Sequence, residues 1–170
     1  LLKQRPALAP AAIPGEQQEF TEHPESVQEQ CVDQEQRRQQ EWLQQHRSPL
    51  LLDYARREVT LGERIVHAVG DWIAVVPWWA VWPFETLVLP LTPWRSLTDV
   101  PSASRADLAV LLQHLLRGYD RLFDAPFPYS MGWHNAPADG HEGDGWVLHA
   151  HVYPPLLRSA TIRKFFVGYE

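Results

Sequence analysis

Three histidines lie close together in the last quarter of the chain, and their spacing could build a metal site. His149 and His151 are two residues apart in a strand-like run, and His134 lies in the segment before it. Because alternate residues of a strand point to the same side, the rings of His149 and His151 can face one point, which His134 can reach from a neighbouring segment. Imidazole nitrogens with one carboxylate suit zinc or ferrous iron. These three histidines are therefore candidate ligands of a divalent metal, iron or zinc.

The spacing leaves the fourth ligand open. The acidic candidates include Glu35 and three residues of a polar loop, Asp139, Glu142 and Asp144. Histidines two residues apart near a strand end also serve as structural groups, or as catalysts without metal. In histidine-triad proteins, a histidine of an alternating His-x-His-x-His strand attacks phosphorus and forms a phosphoramidate. Tyr153 occupies the third position of that alternation here, which disfavours this interpretation.

A sheet is predicted to hold these histidines. Gly70-Asp71 indicates a hairpin turn between two β-rich runs. Prolines bound several of the runs, as they commonly do at strand ends. The predicted strands cover residues 64–69, 72–76, 85–89, 129–134 and 146–153.

Helices are predicted before and after the first three strands along the sequence. Leucines at helical spacing predict a long helix over 104–123, with Ser104 and Asp107 as a capping box. Shorter helices are predicted over 33–46 and over 50–61, the latter ending at Gly62. Strands gathered around one long helix indicate an α+β fold.

The bulk properties limit the class of protein. The 170 residues suit one domain, or half of a larger pseudo-symmetric one. Residues 1–30 are rich in proline without apolar periodicity, which predicts a disordered or atypical tail before a domain at 31–170. The net charge of -6 disfavours a nucleic-acid partner. The most apolar stretch, 72–91, contains prolines and Glu85, so no membrane span is expected. We therefore expect a soluble, cytoplasmic protein.

Several segments carry a resemblance to one enzyme family. They read SPLLLDY at 48–54, WIAVVPWWAVWPFETL at 72–87, FPYSMGWH at 127–134, LHAH at 148–151 and RKFFVGYE at 163–170. From about residue 35 to residue 170, the chain resembles the C-terminal half of galactose-1-phosphate uridylyltransferase. The resemblance implies a histidine-triad-like fold that is duplicated within one subunit, with a long helix packed on the antiparallel sheet, and a homodimer.

The resemblance also implies an activity and a metal centre. The implied reaction is a ping-pong transfer of UMP from UDP-glucose to galactose 1-phosphate, which is a hexose 1-phosphate. In the family, the nucleophile is a histidine of a His-Pro-His motif. A structural iron or zinc is held by one glutamate and three histidines. These ligands map onto Glu35, His134, His149 and His151.

A second family segment implies a substrate site. In the family, the segment Lys-Phe-x-Val-Gly-Tyr-Glu helps to hold the nucleotide sugar across the dimer interface. A lysine can meet a phosphate, and a glutamate can accept hydrogen bonds from sugar hydroxyls. The segment maps onto Lys164, Phe165, Val167, Tyr169 and Glu170.

The chain departs from the family at the nucleophile. Its 170 residues contain no His-Pro-His, and His23-Pro24 is a lone His-Pro pair. We therefore expect the catalytic N-terminal half to be missing and this chain alone to be inactive. One alternative is a non-catalytic module that binds metal and nucleotide sugars and pairs with a full-length partner. The other is a histidine-triad-like nucleotide hydrolase that uses His149 or His151.

Overall fold

A five-stranded antiparallel sheet forms the centre of the molecule. The computed structural model describes residues 24–124, 126–137 and 145–153, with side chains from residue 34 onward except at residue 123. Its strands lie in the order β1-β2-β3-β5-β4, and every neighbouring pair is antiparallel. The predicted α+β fold, an antiparallel sheet with a long helix packed on it, is confirmed. The elements are α1 (Pro24–His46), α2 (Leu50–Leu61), β1 (Ile65–Val69), β2 (Trp72–Val75), β3 (Thr86–Pro90), α3 (Ser102–Phe123), β4 (Ser130–His134) and β5 (His149–Tyr153).

Helices cover both faces of the sheet. On one face, α3 packs Leu111 and Leu115 against Trp72 of β2. On the other face, α2 packs Leu51 and Leu52 and closes the second apolar cluster. Strands β2 and β3 are buried along their whole length, which explains why they read as continuous apolar runs. Because alternate residues of a strand face opposite sides, β5 contributes to both layers. Ala150 and Val152 face α3, and His149 and His151 face the side of α1 and α2.

The predicted end of α2 agrees with the structure, whereas the predicted start of α3 does not. Helix α2 ends as predicted, because Gly62 adopts a left-handed conformation (φ 69°) and its N–H bonds to the carbonyl of Glu58. The predicted capping box of α3 is wrong, because the helix begins earlier, after Pro101. Ser104 lies buried inside the helix, where its carbonyl and hydroxyl oxygens accept the indole N–H of Trp72 at 2.9 and 3.0 Å. A buried indole needs such an acceptor, which the sequence did not reveal.

Helix α1 is longer than predicted. It begins at Pro24 and so crosses the predicted boundary at residue 30. Proline is well tolerated in the first turn of a helix, and the Gln- and Glu-rich sequence that follows favours helix formation. The helix is tied to α2 through Asp53, which accepts the indole N–H of Trp42 at 3.0 Å and the hydroxyl of Ser48 at 2.6 Å. Among the described residues, no helix is long and apolar enough to cross a membrane.

Candidate metal centre

The sheet brings the three predicted histidines together. His134 of β4 pairs directly with His149 of β5, and the next histidine on β5, His151, pairs with Gly132. Directly paired residues of antiparallel strands point to the same side. The ring centroid of His134 lies 4.6 Å from that of His149 and 5.2 Å from that of His151. One nitrogen from each ring lies within 4.8 Å of the others, so the three histidines are positioned to bind a metal ion.

Helix α1 brings Glu35 to the same cluster. Its Oε2 lies 3.1 Å from Nδ1 of His134, and its Oε1 lies 2.9 Å from Nε2 of His149. This acidic residue is at least 99 positions away from its histidine partners in the sequence, so only the packing of α1 on the sheet brings them together. The other acidic candidates, Asp139, Glu142 and Asp144, lie outside the described residues.

The electrostatics prepare these groups to act as ligands. Burial alone would raise the pKa of Glu35, but its contacts with His134 and His149 hold that pKa well below the usual range. Burial, together with repulsion from His149 and His134, lowers the pKa of His151 to about 3. At neutral pH the cluster therefore offers an ionised carboxylate and a neutral imidazole from His151, the forms that bind cations.

One nitrogen of the cluster lacks a hydrogen-bond partner. Nδ1 of His151 is buried and has no partner among the described residues. A buried polar atom without a partner costs about 1–3 kcal/mol and calls for an explanation. A bound cation would explain it, because the ring of His151 lies beside the rings of His134 and His149, which contact Glu35. The residues present therefore fit a zinc or ferrous ion.

Sequence reasoning missed the groups that support the cluster. Trp146 is buried, and its indole N–H donates to the carbonyl of His134 at 3.3 Å. Gln39 is buried on α1 and donates to Glu35 at 3.0 Å. Its position four residues after Glu35 places both on one helix face, and this spacing could have revealed it. The predicted substrate residues Lys164, Phe165, Val167, Tyr169 and Glu170 lie outside the described residues and stay predictions.

The metal-free chain should lose stability in acid. In the unfolded chain His151 takes up a proton near its ordinary pKa of 6.5, whereas in the folded chain its pKa is about 3. Stability is therefore lost as the pH falls from 6.5 towards 3, and Glu35, whose folded pKa is also depressed, adds to the loss below pH 4.5. At about 1.4 kcal/mol per pH unit, we expect His151 to remove about 2 kcal/mol between pH 6.5 and 5.

Urea denaturation in the presence of a chelator measures this loss. His151→Leu should flatten the decline between pH 6.5 and 5, whereas the exposed control His114→Leu should keep it. An equally steep decline in His151→Leu would contradict the assignment.

Comparison with known proteins places this geometry in a family. The family model described as "Galactose-1-phosphate uridyl transferase, C-terminal domain" matches residues 35–170. A galactose-1-phosphate uridylyltransferase of Haemophilus influenzae is 55% identical over 139 residues, which cover 82% of this chain and 40% of the relative. The Rattus norvegicus enzyme of the same name is 53% identical, over 80% of this chain and 37% of its own length. The chain thus spans about two fifths of these curated relatives.

Solved structures share the fold. A uridylyltransferase structure that is 31% identical superposes with a TM-score of 0.64, covering 73% of this chain and 38% of that one. An ADP-glucose phosphorylase of Arabidopsis thaliana has the same TM-score at 18% identity, covering 75% of this chain and 40% of its own. At that identity the second likeness concerns the fold alone.

Proposed function

Because this chain belongs to the galactose-1-phosphate uridylyltransferase family, we propose that it forms the metal-binding C-terminal part of an enzyme that transfers UMP from UDP-glucose to galactose 1-phosphate. The observation that carries the proposal is the 55% identity to the Haemophilus influenzae uridylyltransferase, sustained over 139 residues. The superposition on a solved uridylyltransferase supports the same conclusion.

The proposal includes a divalent metal, iron or zinc, as a structural group. Glu35, His134, His149 and His151 would hold it, since their donor atoms converge and the buried Nδ1 of His151 needs a partner. When bound, the ion would link α1 to β4 and β5, and its binding energy would stabilise the fold. Glu35 would supply the negative charge, and the histidines would keep that carboxylate ionised.

The remaining parts of the proposal concern substrates and partners. Lys164 would contact a phosphate of the nucleotide sugar, and Glu170 would accept hydrogen bonds from sugar hydroxyls, with Phe165, Val167 and Tyr169 lining the same site. The nucleophile would come from an N-terminal half, and the active form would be a homodimer. The resemblance of the segment 163–170 to the family supports these assignments.

A chimera tests the transferase activity. Residues 35–170 would replace the matching segment of the Haemophilus influenzae enzyme, which supplies the rest of the polypeptide. We expect the chimera to form UDP-galactose and glucose 1-phosphate from UDP-glucose and galactose 1-phosphate. Its rate should lie within about tenfold of the parent enzyme, because a tenfold loss of rate corresponds to only about 1.4 kcal/mol of activation free energy. A chimera that folds and binds metal but transfers no UMP would contradict the proposal.

Metal analysis tests the role of Glu35 separately. The Glu35→Gln variant keeps the size of the side chain but removes the charge, so we expect its metal content to fall at least tenfold under equal free metal. The sheet core should be undisturbed, because none of the α1 side chains described from residue 34 onward belongs to either apolar cluster of buried residues. Glu41→Gln, an exposed position on the same helix, is the matched control and should keep its metal. A full metal complement in Glu35→Gln would rule out this ligand.

A further inference from the structure

A closed ring of contacts around Gln39, three of them hydrogen bonds, joins the two sides of the candidate metal centre. The amide Nε2 of Gln39 donates to Oε1 of Glu35 at 3.0 Å. Its Oε1 accepts the backbone N–H of Val147 at 3.4 Å. The carbonyl of Val147 accepts a hydrogen bond from Nδ1 of His149 at 2.8 Å, and the ring is completed by the approach of Nε2 of His149 to Oε1 of Glu35, at 2.9 Å.

The chemistry of the ring allows one orientation of each group. An ionised carboxylate only accepts, and a backbone N–H only donates, so the amide of Gln39 must turn its NH₂ to Glu35 and its oxygen to Val147. The carbonyl of Val147 likewise requires a proton on Nδ1 of His149, which directs the other nitrogen, Nε2, to the centre. Gln39 is 2% exposed, so water does not compete for these bonds.

We propose that Gln39 is a positioning residue of the metal centre, which aligns Glu35 directly and His149 through the backbone of Val147. One side chain thus sets the orientation of a ligand on α1 and the tautomer of a ligand on β5. The inference rests on the metal centre of the proposed function. It differs from a packing role, in which Gln39 would only fill space between α1 and the segment before β5 and would affect the stability of the fold alone.

A matched pair of variants separates the two roles. Gln39→Met has nearly the same length but cannot make either hydrogen bond, and Gln45→Met makes the same change at an exposed position of α1. Zinc affinity, measured by competition with a chromophoric chelator, should fall roughly 10- to 100-fold in Gln39→Met, as for other groups that orient metal ligands. The absorption spectrum of the cobalt(II)-loaded protein should also change, because the ligand field depends on ligand orientation. Gln45→Met should match the wild type in both measurements.

The outcomes decide the proposal. Unchanged zinc affinity together with an unchanged cobalt spectrum in Gln39→Met would overturn it, even if the variant unfolds at a lower temperature. If Gln39→Met does not fold, Gln39→Asn takes its place, because it keeps the amide but is one methylene too short to join Glu35 and Val147. Wild-type zinc affinity in Gln39→Asn would equally overturn the proposal. A wild-type chain that binds neither ion would instead refute the metal centre itself, and with it this inference.

Discussion

The His149→Ala variant is expected to lose nearly all bound metal and much of its stability. His149 is 1% exposed and contacts every other part of the centre: its ring lies 4.6 Å from that of His134, 5.5 Å from that of His151 and 5.7 Å from that of Trp146. Removing it deletes one ligand, opens a cavity and removes a close contact of half-buried Glu35. We expect the metal-free fold to lose about 3 kcal/mol.

Metal analysis and denaturation with and without chelator measure both losses. In the wild type, chelation should remove about 4 kcal/mol if free metal had stood at a thousand times its dissociation constant. In His149→Ala, chelation should change nothing, because little metal is bound. The control is His114→Ala, an exposed histidine on α3, which should keep the wild-type response. A metal-replete His149→Ala would show that other residues hold the ion.

The 170-residue chain alone is expected to form no covalent uridylyl intermediate. Its sequence contains no His-Pro-His. The histidines that could substitute are poorly placed: both nitrogens of His149 are engaged, with the carbonyl of Val147 and with Glu35, and Nδ1 of His151 is buried. A covalent route needs an accessible nucleophile, and losing one has cost on the order of 10⁶ in kcat in another enzyme with a covalent mechanism.

Intact-mass measurement after incubation with UDP-glucose provides the test. The Haemophilus influenzae relative, named as a uridylyltransferase, is the positive control and should gain a uridylyl group. The present chain should keep its mass, and release of glucose 1-phosphate should stay at background. A uridylyl adduct on His149 or His151 would favour the histidine-triad-like reaction that Tyr153 argues against.

The secondary structure was largely predictable because local signals agreed with the final packing. Gly62 ends α2, and the turn at Gly70, which has a φ of 54°, joins β1 to β2 as its sequence indicated. The failures occurred where tertiary contacts override local preference. Ser104, for example, resembles a helix cap but lies inside α3 and accepts the indole N–H of Trp72.

The candidate site was predictable only in part. Strand alternation was enough to predict that His149 and His151 share a face, because the period of two belongs to the strand itself. The pairing of His134 with His149 depends on the register between β4 and β5. No local pattern specifies that register, since it follows from which faces are buried.

By itself, the sequence determined the α+β class, the positions of most helices and strands, and three histidines suited to one metal. Those properties depend on local periodicity and on residue chemistry, which the chain carries at every position. Only the tertiary structure decided that Glu35 contacts two of these histidines and that Gln39 joins Glu35 to Val147. Their approach depends on α1 packing across the sheet, where Asp53 ties it to α2 and Gln39 ties it to Val147. Contacts between segments about 100 residues apart arise from the burial of whole faces, and no short window of sequence contains that information.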